Sequence, residues 1–273
     1  MNNITKDKTP GTKRVQVVIR TVDILRAIGN TNEDLTLSDL AARTSLPRST
    51  VHRIVQTLES VHFVAKGASA GGLRLGPEFD RLAANSRHAL IPTMRPFLEN
   101  LARESAEGAS LTVLEGLNVR FLDQAIVGHG LRAITLVGTT LPAHCTANGK
   151  ILLAALPQAV LRRMLPKQLE RRTDQTITDP ELLIDELDRI STEGVAFDRE
   201  ECGNGISAIS ALVVDDSRNY AAISVAMPTA RFDSHEEFLT EIVRRTAHEA
   251  SLALGWRDSN GNSPGPKLNT VTN

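Results

Sequence analysis

Cysteine is nearly absent. Cys145 and Cys202 are the only two in 273 residues, and neither belongs to a CxxC pair. That usage argues against a structural zinc site and a disulfide framework. Aromatic residues make up 3% of the chain, with one Trp and one Tyr. A chain so poor in flat side chains is not built to stack single-stranded bases. No apolar run reaches the roughly 18 residues of a membrane span. No secretory signal precedes the first helical pattern. The expectation is a cytoplasmic protein with no membrane partner. A phosphate-cradling Gly-rich loop, an HExxH helix and a GxSxG turn are all missing. No catalytic residue, metal or cofactor is therefore expected.

What is present is 41% hydrophobic and 23% charged, enough for two domains, one with a sizeable core. The net charge of −1 hides an asymmetry. Residues 1–90 carry 13 Lys+Arg against 8 Asp+Glu, a net of +5. Residues 91–273 carry 18 against 24, a net of −6. A basic front and an acidic rear fit a DNA-binding domain joined to one that does not touch DNA.

The most informative stretch is residues 35–75. Leu37, Leu40 and Ala41 fall at helical spacing, and Thr36 with Asp39 can cap that helix. Thr44–Leu46 reads as a turn, with Pro47 in the first turn of the next helix. That helix buries Val51, Ile54, Val55 and Leu58. Its other face presents Ser49, His52, Arg53 and Gln56, with Arg48 at its start. Arg pairs with guanine edges, while Ser, His and Gln reach phosphates or bases. Phe63–Ala65 and Leu73–Leu75 then form a hairpin whose Lys66 and Arg74 flank the turn, placed to clamp phosphate. Two helices and such a hairpin make a winged helix-turn-helix. The plainer alternative is a small helical domain with a solvated basic face.

Around this motif the chain divides into a disordered tail (1–13), the DNA-binding domain (14–76), a linker helix (77–91), a second domain (92–256) and a disordered tail (257–273). Lys6, Lys8, Lys13 and Arg14 lie within reach of a DNA backbone, although a solvated tail is the simpler reading. Residues 15–29 form an amphipathic helix with Val18, Val22, Leu25 and Ile28 on the packing face. Phe79, Leu82, Ala83 and Ser86 line one side of the linker helix, and a symmetric dimer would bury its apolar stripe. Pro92 is the natural hinge. The second domain alternates strands (110–115, 119–124, 131–137, 207–214, 220–226) with helices (148–156, 159–165, 179–193, 236–254). The pattern is α+β: one antiparallel-rich sheet with helices against it.

The motifs LTLSDLAARTSLPRSTVHRIVQTLE and LRLGP, then LPAHCTANGKILLA, RTDQTITDP, EGVAFDREE and AAISVAMP followed by ARF, occur in one order. In that order the chain resembles the IclR family of bacterial transcriptional regulators over residues 14–256. The resemblance implies a winged helix-turn-helix, a linker helix and a GAF-like effector-binding domain. It also implies a homodimer or homotetramer on a partly palindromic double-stranded DNA operator. Effectors of the family are small organic acids or aromatic catabolites. Carried over by motif, the effector-binding positions are Thr146, Ala147, Asn148, Asp198, Ala208, Ser224 and Ala226. Ala208 stands where members that bind small keto acids have Cys, and Ala226 replaces a second Ser. Both changes point to a bulkier or more apolar ligand. Asp198 either contacts ligand or serves as a cap or ion-pair partner of Arg199. Ser224 either lines the pocket or is a packed small side chain. Cys145 reads as an inert buried thiol, and His144 as a structural hydrogen-bonder.

The reading is a ligand-responsive DNA-binding regulator, repression favoured over activation. Sequence is read by Arg48, Ser49, Thr50, His52 and Arg53, while Lys66 and Arg74 hold the backbone. The alternative is an enzyme-like GAF domain fused to a DNA-binding module. Its only obvious nucleophile–base pair, Cys145 with His144, is disfavoured because neighbours on an extended strand point apart.

Overall fold

The computed structural model describes residues 15–257 except 30, 32, 70, 128–132, 134 and 217–219, and for 83–89 only the backbone. Both tails expected to be disordered lie outside the described residues, apart from Arg257. The chain falls into two units divided between Arg87 and His88.

The first unit begins with α1 (Gln16–Gly29), α2 (Leu37–Thr44) and α3 (Arg48–Ser60). Thr36 caps α2 in a reciprocal box. Its hydroxyl accepts the Asp39 N–H, and Asp39 accepts the Thr36 N–H at 2.9 Å. Two orphan donors are thereby satisfied. The chain leaves α2 through Ser45, whose φ of 54° turns it sharply. Pro47 precedes α3 as its N-cap, one residue earlier than the sequence suggests. Val51, Ile54, Val55 and Leu58 are buried against Ile24, Ile28 and Leu40, as the helical period predicts.

A hairpin of β1 (Val64–Lys66) and β2 (Leu73–Leu75) completes the unit. Its first strand starts one residue later than expected. Leu35 adds a short bridge to Leu73, with paired backbone bonds of 2.9 and 3.2 Å. Asp34 ties the tip down, since its carboxylate accepts the Ser69 N–H at 2.8 Å.

The face assignment in α1 holds for Leu25 and Ile28, which pack into the core, and fails for Val18 and Val22. Ile24 and Ile28 are buried, whereas Val18 and Val22 are 57% and 37% exposed. Apolar residues surround this helix on nearly all sides, so periodicity alone does not choose the packed face. Next comes α4 (Glu78–Ser105), a single helix of 28 residues. The hinge expected at Pro92 is not a break. Pro92 and Pro96 are both exposed, while Met94, Leu98, Leu101 and Ala102 are fully buried. The lost backbone bonds fall on the outer side, and the buried stripe holds the helix through them.

In the second unit all paired strands are antiparallel. They are β3 (Gly108–Glu115), β4 (Asn118–Ala125), β5 (Thr140–Pro142), β6 (Val195–Arg199), β7 (Ile206–Val214) and β8 (Tyr220–Pro228), in the sheet order β5-β4-β3-β8-β7-β6. The strand expected over 131–137 is not found in its described residues. Its residues 133 and 135–137 are not in strand, and the others lie outside the described residues. The third strand is instead β5, which pairs Leu141 with Val119.

A 3-10 turn (Ala143–Cys145) leads into α5 (Ala147–Ala154), followed by α6 (Gln158–Met164) and α7 (Pro180–Glu193). Asp179 caps α7 at 2.8 Å, and Gly194 ends it with φ 75°. After β8 come α8 (Thr229–Phe232) and α9 (Glu236–Ala253). Strand alternation divides the core. Leu111, Ile209 and Ile223 meet α9 and the second half of α4, while Leu212 and Ala222 meet α5 and α7. Gly149 lets α5 lie directly on the 3-10 turn, because a Cβ there would come within 2.2 Å of the Ala143 backbone.

Candidate functional site

On α3 the candidate reading face is formed as its burial pattern requires. Arg48, Ser49, His52, Arg53 and Gln56 are exposed, opposite the buried stripe; Thr50 is half-buried at the edge. Arg53 and Thr50 also border a groove of about 360 Å³ between α3 and α1, with Val17, Arg20 and Thr57 on its walls.

The wing differs from expectation in one respect. Ala65 pairs with Arg74 and Lys66 with Leu73. Cross-strand partners share a face of the ribbon, so Lys66 and Arg74 point to opposite faces. They are exposed but cannot clamp one phosphate together. Arg74 also feels the Asp34 carboxylate, which is held below the usual carboxylate range mainly by the Ser69 N–H.

The second candidate site lies on the sheet face toward α5. Asp198 pairs with Ala208, Ala208 with Ala226, and Ala226 with Gly108, making one cross-strand row. In the next row Ala196, Ser210, Ser224 and Ser110 follow one another across four strands. The period of two turns all these side chains to the face of Leu212 and Ala222. Thus Asp198, Ala208, Ser224 and Ala226, far apart in sequence, form one cradle.

The N-terminal end of α5 borders that face. Thr146 caps α5, accepting the Gly149 N–H at 3.2 Å. Asn148 donates through Nδ2 to the Thr112 hydroxyl at 3.1 Å, so its side chain braces the helix on β3. Ser110, Thr112 and Ser210 were not singled out from sequence. For Ser210 a signal was available, since it stands two residues from Ala208 on β7; Ser110 and Thr112 are joined to the site only by the pairing of β3 with β8.

Asp198 is 5% exposed, and its Oδ1 accepts the N–H groups of Glu201 at 2.8 Å and Cys202 at 3.3 Å. It does not pair with Arg199, which holds Glu236 at 2.6 and 2.8 Å. Burial pushes the Asp198 carboxyl up from 3.8 to about 7, with the nearby Glu201 carboxylate adding to the rise. The folded chain therefore keeps a proton here between about pH 4 and 7 that the unfolded chain has released. Asp198 thus makes stability fall as pH rises through that window. Asp198→Asn should flatten this dependence, by about 1.4 kcal/mol for each tenfold of raised proton affinity that it removes. Urea denaturation of both chains at pH 5 and pH 8 measures it. Equal pH dependence would contradict the assignment.

The expected structural role of His144 is met: its Nε2 lies 2.9 Å from the Glu170 carbonyl and must donate to it. His144 and Cys145 occupy the 3-10 turn, not an extended strand as assumed from sequence. On α5 itself, Lys150 is 1% exposed and reaches Glu201 at 2.6 Å and Glu186 at 3.4 Å. No group of three potential metal ligands occurs among the described residues, and none of their helices is long and apolar enough to cross a membrane.

Two family descriptions match, "IclR helix-turn-helix domain" over residues 17–67 and "Bacterial transcriptional regulator IclR C-terminal" over residues 82–252. The chain is 40% identical over 222 residues to the HTH-type transcriptional regulator Rv1719 of Mycobacterium tuberculosis, covering 81% of this chain and 86% of that one. It is 30% identical to the transcriptional repressor IclR of Escherichia coli, covering 90% and 92%. Among solved structures, an IclR homolog from Microbacterium hydrocarbonoxydans, complexed with 4-hydroxybenzoate, aligns with a TM-score of 0.58 at 27% identity, covering 88% and 99%.

Proposed function

The chain belongs to the IclR family of bacterial transcriptional regulators, non-enzymatic proteins that bind DNA through a helix-turn-helix and carry an effector domain, and on that premise we propose that this one is a repressor released or engaged by a small organic acid with an apolar body. The observation that carries the effector class is the cradle: Ala208 and Ala226 offer an apolar floor, with Ser224, Ser210 and Ser110 in the adjacent row. Pockets of this kind are mostly apolar with a few placed polar groups. The carboxylate belongs near Ser224 and the N–H groups around Ala147 and Asn148, because helix N-termini favour negative charge. Asp198 at the other row's end already accepts two backbone N–H groups and supplies no cation to hold a second carboxylate, so monoacids are favoured over diacids. The 4-hydroxybenzoate held by the Microbacterium protein makes that acid the first probe. Repression rests on likeness to the Escherichia coli repressor.

A thermal-shift screen of aliphatic and aromatic monoacids tests this, since a ligand of the folded state raises its apparent stability. Calorimetry on the best acid should then find Ser224→Ala binding roughly tenfold more weakly, the cost of about one hydrogen bond to a charged group. Ala226→Ser should shift preference toward smaller, more polar acids. Unchanged affinity in both variants would move the ligand elsewhere.

DNA is read by Arg48, Ser49, Thr50, His52 and Arg53, with Lys66 and Arg74 touching separate phosphates. A division into residues 14–76, 77–91 and 92–256 suits these roles. The working unit is a homodimer or a homotetramer. The linker stripe is poor support for that: Phe79 already packs edge-on against Phe63 at 5.1 Å, and the side chains of Ala83 and Ser86 lie outside the described residues. Better support is the outer face of α1, where Val18, Ile19 and Val22 stand exposed at helical spacing, with Val15 exposed just ahead of it. A second copy would bury this stripe and space two reading helices about one DNA turn apart. Val18→Glu is expected to shift the particle toward the single-chain mass in light scattering at micromolar concentration. A mass identical to the parent's would rule out this face.

A further inference from the structure

The groove of about 360 Å³ between α1 and α3 carries charge of one sign. Two guanidiniums line it, Arg20 from α1 and Arg53 from α3, and no acidic residue does. Neither guanidinium has a hydrogen bond or an ion pair with another described residue. The buried side chains of Ile54 and Leu58 form an apolar floor. The Thr21 and Thr57 hydroxyls donate to carbonyls one turn back in their own helices, at 2.8 and 3.0 Å. The Thr50 hydroxyl has no such bond and is left to donate into the groove. Two like charges facing one groove repel each other, and an anion between them turns that cost into attraction.

The helical geometry selects the anion. Thr50, Arg53 and Thr57 stand at i, i+3 and i+7, so they form one edge of α3, bordering the reading face of Ser49, His52 and Gln56. A helix with its side chains is roughly 10–12 Å across and fills a major groove of about 12 Å. The flanks of an inserted helix therefore face the two sugar-phosphate strands that bound the groove. The flank of α3 toward α1 is the edge that carries Thr50 and Thr57. Val17, Arg20, Thr21 and Ile24 follow one another at i, i+3, i+4 and i+7 along α1, on its packed side. The exposed stripe of Val18, Ile19 and Val22 falls outside that series, so the groove and the face offered to a second copy are separate surfaces.

We propose that Arg20 of α1, with the Thr50 hydroxyl, holds a backbone phosphate of the DNA strand beside α3.

The inference rests on α3 being the reading helix. A phosphate contact carries no sequence information but fixes orientation on the duplex. Arg20 thus anchors α1 on the strand and sets how α3 lies in the groove. The bound phosphate also screens Arg20 from Arg53, which leaves Arg53 directed at base edges.

The full-length chain is titrated by anisotropy against a selected operator duplex and an unrelated duplex of equal length, at several salt concentrations. Arg20→Gln should weaken both by the same factor, about fivefold for each chain bound at about 0.15 M salt, and lower the salt slope by about 0.9 per chain, the share of one phosphate. The ratio of operator to unrelated affinity should stay parental. Arg20→Lys, which keeps the charge, should keep the slope. Arg53→Ala, run beside them, should lower the ratio. Arg20→Gln with parental affinity and slope, while Arg53→Ala lowers the ratio, would overturn the phosphate contact and leave the reading helix standing. Parental behaviour of both variants would reject the reading helix and the inference with it. A loss confined to the operator would make Arg20 a base contact. A loss that comes with a smaller particle in light scattering or a lower thermal transition would make it a contact between copies or within the fold. Each of these results overturns the assignment.

Discussion

Lys150→Met should cost the fold about 3–5 kcal/mol, as breaking a buried ion pair by removing one partner does. Lys150 is among the largest fully buried side chains of the described residues. Its ammonium meets Glu201 at 2.6 Å, and Glu201 is itself nearly buried, with its other oxygen, Oε2, without a partner among the described residues. Methionine fills similar volume but leaves the Glu201 carboxylate uncompensated. Burial already pushes that carboxyl above its ordinary range, and Lys150 is the group that opposes the rise. Without Lys150 it must be protonated or drag in water. The double variant Lys150→Met/Glu201→Leu should recover most of the loss, since an apolar pair of similar volume replaces a buried ion pair at little cost. Urea unfolding of the three chains, at equal slope, measures this. A Lys150→Met chain as stable as the parent would show that the pair contributes nothing.

Arg53→Ala should weaken binding to a selected operator duplex by about 1–3 kcal/mol, roughly fivefold to 150-fold, and relax preference at one base step. The guanidinium is exposed on the face shared by Ser49 and Gln56, opposite Val51 and Val55. A bidentate contact to guanine is lost together with its discrimination. Lys66→Ala should behave differently. It stands on one face of the wing alone, so its loss should weaken every sequence alike and lower the salt slope by about one charge. Because Arg53 also borders α1, the thermal transition of the variant is recorded beside the anisotropy titration. A folded Arg53→Ala chain with parental affinity and specificity would mean that another surface reads the DNA.

The first unit was largely legible because its signals are local. The Thr36–Asp39 box, Pro47 and the 3.6-residue period of Val51, Ile54, Val55 and Leu58 each act within a few residues. In α1 the same method placed Leu25 and Ile28 correctly but not Val18 and Val22, since Val15, Val18 and Val22 form as good a stripe as Ile24 and Ile28. The long strands β7 and β8 were visible from composition. The five-residue β6 and three-residue β5 were not, because so few residues between charged or looping segments carry no clear period. In the effector unit, Asp198, Ala208, Ser224 and Ala226 came from motif resemblance, and the register then joined them in adjacent rows. Lys150 was out of reach: a lysine reads as a surface residue until its carboxylate partners are located.

The central claim is that a monoacid in the β7–β8 cradle controls DNA binding by α3. It is tested most directly by selecting a duplex with the purified full-length chain and following its anisotropy while 4-hydroxybenzoate and the monoacids of the thermal screen are added. At least one acid should change the parent's DNA affinity, and Ser224→Ala, with parental affinity in the absence of acid, should need roughly tenfold more of it, matching its weaker ligand hydrogen bonding. Identical acid responses in the two chains, or a parent whose DNA binding no acid alters, would contradict the account.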